Sequence, residues 1–239
     1  MHLLKKPAAI ALSFLVSFLF IFATPIKSAK KVITSAPVAI HEDNAALFSE
    51  LHLDQMGMSQ DAFSAAMYGL EKLNGEGLVQ RDDIITVIDF SQPSNKKRLY
   101  VLDLVKKRIL FNTLVAHGRN SGDLWATSFS NDLSSLKSSP GFYVTGETYR
   151  GDNGYSLRLD GLEKDINDNA RSREIVLHGA SYVNESAVNA LGFLGRSLGC
   201  PAVPTSKHRA IINTIKQGTC LFIYSPDKDY LQNSLILNS

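Results

Sequence analysis

Two residues of the 239-residue sequence have the types and surroundings needed for acyl transfer, Cys200 and His178. Cys200 lies in the run GRSLGCP, between Gly199 and Pro201, and His178 ends the apolar run IVLH with Gly179 behind it. The thiolate is the competent nucleophile and an unassisted cysteine titrates near pH ~8.5, so a nearby imidazole has to take the thiol proton. Gly199 has no Cβ, which lets the backbone beside the sulfur approach a substrate and aim an N–H at a developing oxyanion. The same residues have plainer readings. Cys200 could be a small buried side chain or half of a disulfide with Cys220, and His178 a satisfied core group. Cys220 opens the apolar run LFIY and is expected in a buried strand, whereas Cys200 sits between Gly and Pro in an exposed type of context, which argues against the disulfide.

Other motifs lack their partners. Gly195 to Gly199 matches the GxSxG elbow around Ser197, yet no acidic residue stands between Ser197 and His208, the only histidine after it. Ser94–Lys97 and Ser134–Lys137 match SxxK without an accompanying SDN or KTG. There is no HExxH or CxxC and the six histidines are scattered, so neither a metal nor another cofactor is expected.

The pair needs a scaffold. Strands are expected over Ile84–Phe90, Arg98–Leu104, Arg108–Ala116, Phe142–Thr148, Ser156–Leu159, Ile175–His178 and Leu221–Tyr224, with a hairpin turn at Val105-Lys106-Lys107. Short strands with turns between them predict a mostly antiparallel sheet. Asn44 is placed to cap a helix over 45–53 and Ser59 a second, in which Phe63, Met67 and Leu70 share one face and Asn74-Gly75 forms the stop. These two make a helical hairpin, 45–75, docked on the body. Thr205 or Ser206 is placed to cap a further helix over 207–216. No βαβ rhythm or GxGxxG appears, so the expected class is mainly β with peripheral helices, α+β, with its catalytic body over 84–239.

Composition sets the bounds. With 44% hydrophobic and 20% charged residues the chain can bury one substantial core, and a formal charge of +2 is too small to point to nucleic acid. Residues 1–28 have the form of an export signal: Lys5 and Lys6, an apolar stretch from Ala8 to Phe22, then small residues. Lys27 disturbs the cleavage site, so an uncleaved membrane anchor is the alternative; either outcome places the domain in the periplasm or cell envelope. Residues 29–44 read as a linker.

A longer series of motifs surrounds the pair: VAHGRNSG at 115–122, SFSND at 128–132, SSPGFYVTGETYRG at 138–151, YSLRLDGLE at 155–163, NDNARSREIVLHGASYV at 167–183 and GRSLGCPAVP at 195–204. From Ile84 to Tyr224 the sequence resembles the YkuD-like murein L,D-transpeptidase catalytic domains, in the branch whose cysteine sits in GRSxGCP. The resemblance implies a β-sandwich or barrel-like sheet and a peptidoglycan stem peptide as substrate. It implies that Cys200 attacks the carbonyl of an L-centred residue of a tetrapeptide stem, that a thioester forms and that D-alanine leaves. His178 is then base and later acid, its other ring nitrogen held by a backbone carbonyl at Gly179, and Gly199 and Cys200 supply the oxyanion donors.

Two departures accompany the resemblance. Leu198 stands where many members have a second histidine, which leaves Arg196 as a candidate for a stem carboxylate, with a surface ion pair as its alternative. His117 in VAHG has the same strand-then-HisGly form as His178; His178 is preferred as base, and His117 is expected to line the cleft with Tyr149 and Ser197. Three functions follow: an L,D-transpeptidase, an L,D-carboxypeptidase in which water is the acceptor, or a non-catalytic peptidoglycan-binding protein.

Overall fold

A computed structural model describes residues 42–238. The expected export segment and nearly all of the linker lie outside the described residues. The chain enters through two helices, α1 (Glu42–Glu50) and α2 (Gln60–Gly75). Ser59 caps α2, its Oγ accepting from the Ala62 N–H at 3.0 Å. α1 begins at Glu42, so Asn44 lies inside its first turn instead of capping it.

Eight strands follow: β1 (Arg81–Asp89), β2 (Leu99–Asp103), β3 (Arg108–Thr113), β4 (Gly141–Gly151), β5 (Gly154–Gly161), β6 (Val176–Ala180), β7 (Ala202–Pro204) and β8 (Thr219–Tyr224). They form one sheet in the order β3-β2-β1-β8-β4-β5-β6-β7. Pairing is antiparallel except at β1–β8 and β6–β7. The two ends of this order meet where the Ala116 N–H donates to the Ala202 carbonyl at 2.8 Å, so the chain beyond β3 closes onto β7 and the sheet curls toward a barrel.

Alternation of side chains builds two cores. Phe142, Cys220, Phe222 and Tyr224 point to one face, where α2 supplies Phe63, Ala66, Leu70 and Leu73. Their strand neighbours Tyr143, Leu221 and Ile223 point to the other face, against Leu157, Leu159, Leu177 and three isoleucines of α4 (His208–Ile215): Ile211, Ile212 and Ile215. Gly69 lets α2 approach the sheet, because a Cβ there would lie 2.0 Å from the Phe142 ring, itself stacked on Phe222 at 4.1 Å between centroids. The N-cap of α4 is Lys207, without a side-chain cap bond, rather than Thr205 or Ser206. β7 and two short helices, α3 (Glu185–Leu191) and α5 (Lys228–Asn233), have no counterpart among the expected elements.

Candidate active site

β6 and β7 run parallel with His178 opposite Ala202, which brings the loop before β7, Ser197 to Pro201, alongside the imidazole's strand. Within that loop the Ser197 hydroxyl donates to the Cys200 carbonyl at 2.6 Å and accepts the Gly199 N–H at 3.1 Å. Gly199 has φ +129, and a Cβ there would meet the Lys137 carbonyl oxygen at 2.8 Å, so only glycine fits. The tight turn delivers the Cys200 sulfur to the start of β6. There Sγ accepts the Val176 N–H at 3.4 Å, and the thiol donates to the Glu174 carbonyl at 3.5 Å.

His178 stands two residues beyond Val176 on the same strand. Its Nδ1 lies 3.1 Å from the Gly179 carbonyl oxygen, which can only accept, so Nδ1 carries the proton and Nε2 keeps its lone pair. No hydrogen bond among the described residues occupies Nε2. Glycine at 179 also makes room for His208: a Cβ there would lie 2.7 Å from Cγ of that ring. Burial lowers the His178 pKa, partly opposed by the Gly179 carbonyl, and the nearby His208 lowers it further. Burial raises that of the Cys200 thiol, partly opposed by the Val176 N–H and by Arg173. Both shifts favour the uncharged forms, a thiol at Cys200 and an unprotonated imidazole at His178.

Cys200 and Cys220 are both free thiols, and Cys220 is buried in β8, so the disulfide alternative is excluded. Tyr149 is opposite Ser156 on β5, and Ser156 is opposite His178 on β6, so the three form one transverse row of the sheet. Directly opposed residues share a face. Arg158 covers the Tyr149 ring at 4.4 Å.

The L,D-transpeptidase catalytic domain model known as YkuD_2 matches residues 54–224, well over half of the chain. The chain belongs to this L,D-transpeptidase family. No curated protein matches the sequence. Among solved structures, an L,D-transpeptidase from Mycobacterium smegmatis is 10% identical with a TM-score of 0.38, over 60% of this chain and 59% of that one. An L,D-transpeptidase from Stackebrandtia nassauensis is 14% identical with a TM-score of 0.36, over 78% and 79%. The helical cell shape determining protein Pgp2 from Campylobacter jejuni is 16% identical with a TM-score of 0.40, over 71% and 59%. The chain thus spans less than two thirds of the Mycobacterium smegmatis and Campylobacter jejuni proteins. The family assignment rests on the model match alone.

Within this family domain, four expected site residues sit differently from the sequence-based picture. His117 is fully buried, with its Nδ1 accepting from the Arg98 guanidinium at 2.7 Å and its Nε2–H donating to the Gly122 carbonyl at 3.0 Å. Its burial keeps it out of any cleft, and burial first, with the Arg98 charge second, pushes its pKa down to about 4, so it is uncharged near neutral pH. Ser197 has its hydroxyl committed on both sides and braces the loop instead of meeting substrate. That brace also takes the Gly199 N–H, which removes it from the expected oxyanion pair. Arg196 is paired with Asp123 and touches the Gly122 carbonyl, the surface ion pair that stood as its alternative.

Sequence reasoning missed the residues on the other side of the sulfur. Glu174 presents its carbonyl from a left-handed backbone, φ 57, and Arg173 precedes it. Both stand inside NARSREIVLHG, where an arginine and a glutamate before a strand carry no pattern of their own.

Proposed function

We propose that this domain is a cysteine acyltransferase of peptidoglycan stem peptides, an L,D-transpeptidase exported to the periplasm or envelope. The observation that carries the reading is the His178 tautomer: the Gly179 carbonyl holds the proton on Nδ1, which leaves Nε2 as the base, on the strand whose Val176 N–H touches Cys200 Sγ. In the reaction, the Cys200 thiol gives its proton to Nε2 as Sγ attacks the carbonyl of the L-centred residue of a tetrapeptide stem. The Cys200 N–H is the donor left for the oxyanion. The tetrahedral species collapses to a thioester as His178 returns the proton to the departing D-alanine amine. An acceptor amine then attacks the thioester and frees the thiol. Water in place of the amine gives the carboxypeptidase outcome, with the same residues in the same roles.

Intact-mass analysis with a carbapenem-type acylating agent tests the nucleophile. One adduct is expected, absent in Cys200→Ser; an adduct that persists in Cys200→Ser rules the mechanism out. Incubation with disaccharide tetrapeptide then separates cross-linked dimer, the transpeptidase product, from tripeptide, the carboxypeptidase product. A folded protein that forms neither is a binding protein.

A further inference from the structure

Arg173 is a cation with no carboxylate partner among the described hydrogen bonds. Nη1 donates to the Ser130 carbonyl at 2.7 Å and to Ser139 Oγ at 2.5 Å, and Nη2 donates to Ser135 Oγ at 3.1 Å and to the Lys137 carbonyl at 2.6 Å. Four bonds fix a charge that stays on guanidinium at any working pH. They fix it against the nucleophile loop from two directions. The Lys137 carbonyl that it grips is the one that abuts Gly199, and the adjacent Ser138 hydroxyl donates to the Gly199 carbonyl at 2.9 Å. On the other side, the next residue in the chain, Glu174, receives the thiol of Cys200. Guanidinium and sulfur are thus joined through the backbone on both flanks.

We propose that Arg173 is a positioning residue whose fixed positive charge stabilises the Cys200 thiolate as it forms, in addition to holding the 135–139 segment against the nucleophile loop. A thiol that is neutral at rest gains most from such a charge, because negative charge appears on sulfur only when the proton moves. The surrounding groups act in both directions. Toward the sulfur, Arg173 favours the anion, whereas the Glu174 carboxylate opposes it; the Tyr182 phenol, its pKa pushed up to about 12, stays uncharged, and His178 lies on the adjoining strand. Toward the guanidinium, Asp132, Tyr143 and Cys200 favour its charge. This inference rests on Cys200 as nucleophile, and its test reads the thiol alone, so it can fail while the carbapenem adduct still forms.

The experiment is the pH profile of Cys200 alkylation by iodoacetamide, followed by peptide mapping to separate it from buried Cys220. Arg173→Gln is expected to move the midpoint up by about one pH unit, a roughly tenfold slower reaction at pH 7, with the high-pH plateau retained. Arg173→Lys, which keeps the charge, is expected to restore most of the shift. A purely structural pin would change plateau and thermal stability in both variants and leave the midpoint in place. Should Arg173→Gln not fold, Ser135→Asp places a carboxylate against the guanidinium and is expected to raise the midpoint in the same direction. An unmoved midpoint in folded Arg173→Gln, or in Ser135→Asp where the former does not fold, overturns the proposal, as does an equal shift in Arg173→Lys.

Discussion

VAHG at 115–118 and VLHG at 176–179 have the same local sequence form, a strand-like run that ends in His-Gly, and the structure gives their imidazoles opposite tautomers. At His117 an arginine donates to Nδ1, so the proton lies on Nε2 and is spent on the Gly122 carbonyl. At His178 a carbonyl accepts from Nδ1, so the lone pair lies on Nε2. The difference is made by the first group that each ring meets: Arg98, a buried guanidinium that also bonds the Val115 and Gln92 carbonyls, or the carbonyl of the histidine's own neighbour. One histidine becomes part of the core and the other keeps a nitrogen for chemistry. What distinguishes the two rings is the polarity of the first partner that each meets.

The largest test of this contrast is kinetic. His178→Ala is expected to slow formation of the carbapenem adduct by roughly 10²–10⁴-fold, the usual worth of a positioned general base, while His117→Gln, where folded, labels at close to the parent rate. Equal loss in both variants would erase the distinction. The acid limb of the parent's labelling should lie below the ordinary histidine value of 6.5, because burial lowers the His178 pKa.

The structural histidine is expected to show in stability. Arg98→Met strands the Val115 and Gln92 carbonyls and His117 Nδ1 and should cost about 3 kcal/mol in urea unfolding. His117 adds a pH signature. Its pKa is near 4 in the folded protein against 6.5 ordinarily, so the unfolded chain binds the extra proton between those values. Stability should therefore be fully present above pH ~6.5 and fall as pH drops toward ~4, by roughly 3 kcal/mol. His117→Gln should flatten that window, and a slope unchanged in the variant would assign the titration to another group.

The glycines that follow the two histidines differ as well. A Cβ on Gly118 would meet the backbone, Leu136 O at 2.5 Å and Gly199 Cα at 2.9 Å, whereas one on Gly179 meets the His208 side chain. Gly118→Ala is therefore expected to cost more than Gly179→Ala, whose cost of about 1–3 kcal/mol is that of overpacking against a side chain. The smallest effect belongs to Asp123→Asn, which breaks the exposed pair with Arg196 and should change stability by less than about 1 kcal/mol.

The strands with β-branched or aromatic runs were legible from sequence because a sheet covered on both faces reads as near-continuous apolar runs bounded by turn residues, as in LYVLD and TCLFIY. β7 was not, since Ala202–Pro204 is three residues long and ends in proline. α3 buries none of its residues and so has no apolar stripe to read. At the proposed site, Cys200, His178 and Gly179 stood out as candidates because each lies among distinctive neighbours, GCP and HG. Arg98 over His117, and Arg173 over the nucleophile loop, did not, because each acts through backbone carbonyls that its own flanking residues do not identify. The expected Gly199 N–H donor failed for a similar reason: a hydroxyl two residues away takes it.

The half-buried, protonated sulfur of Cys200 has a consequence for handling the protein. Peroxide and disulfide exchange consume thiolates, so a thiol whose pKa is raised at rest should resist oxidants that would inactivate an exposed, ionised cysteine. Preparations kept in air without reductant should accordingly retain their capacity for acylation, and nonspecific thiol reagents should be poor inhibitors beside compounds that trigger proton transfer by occupying the site.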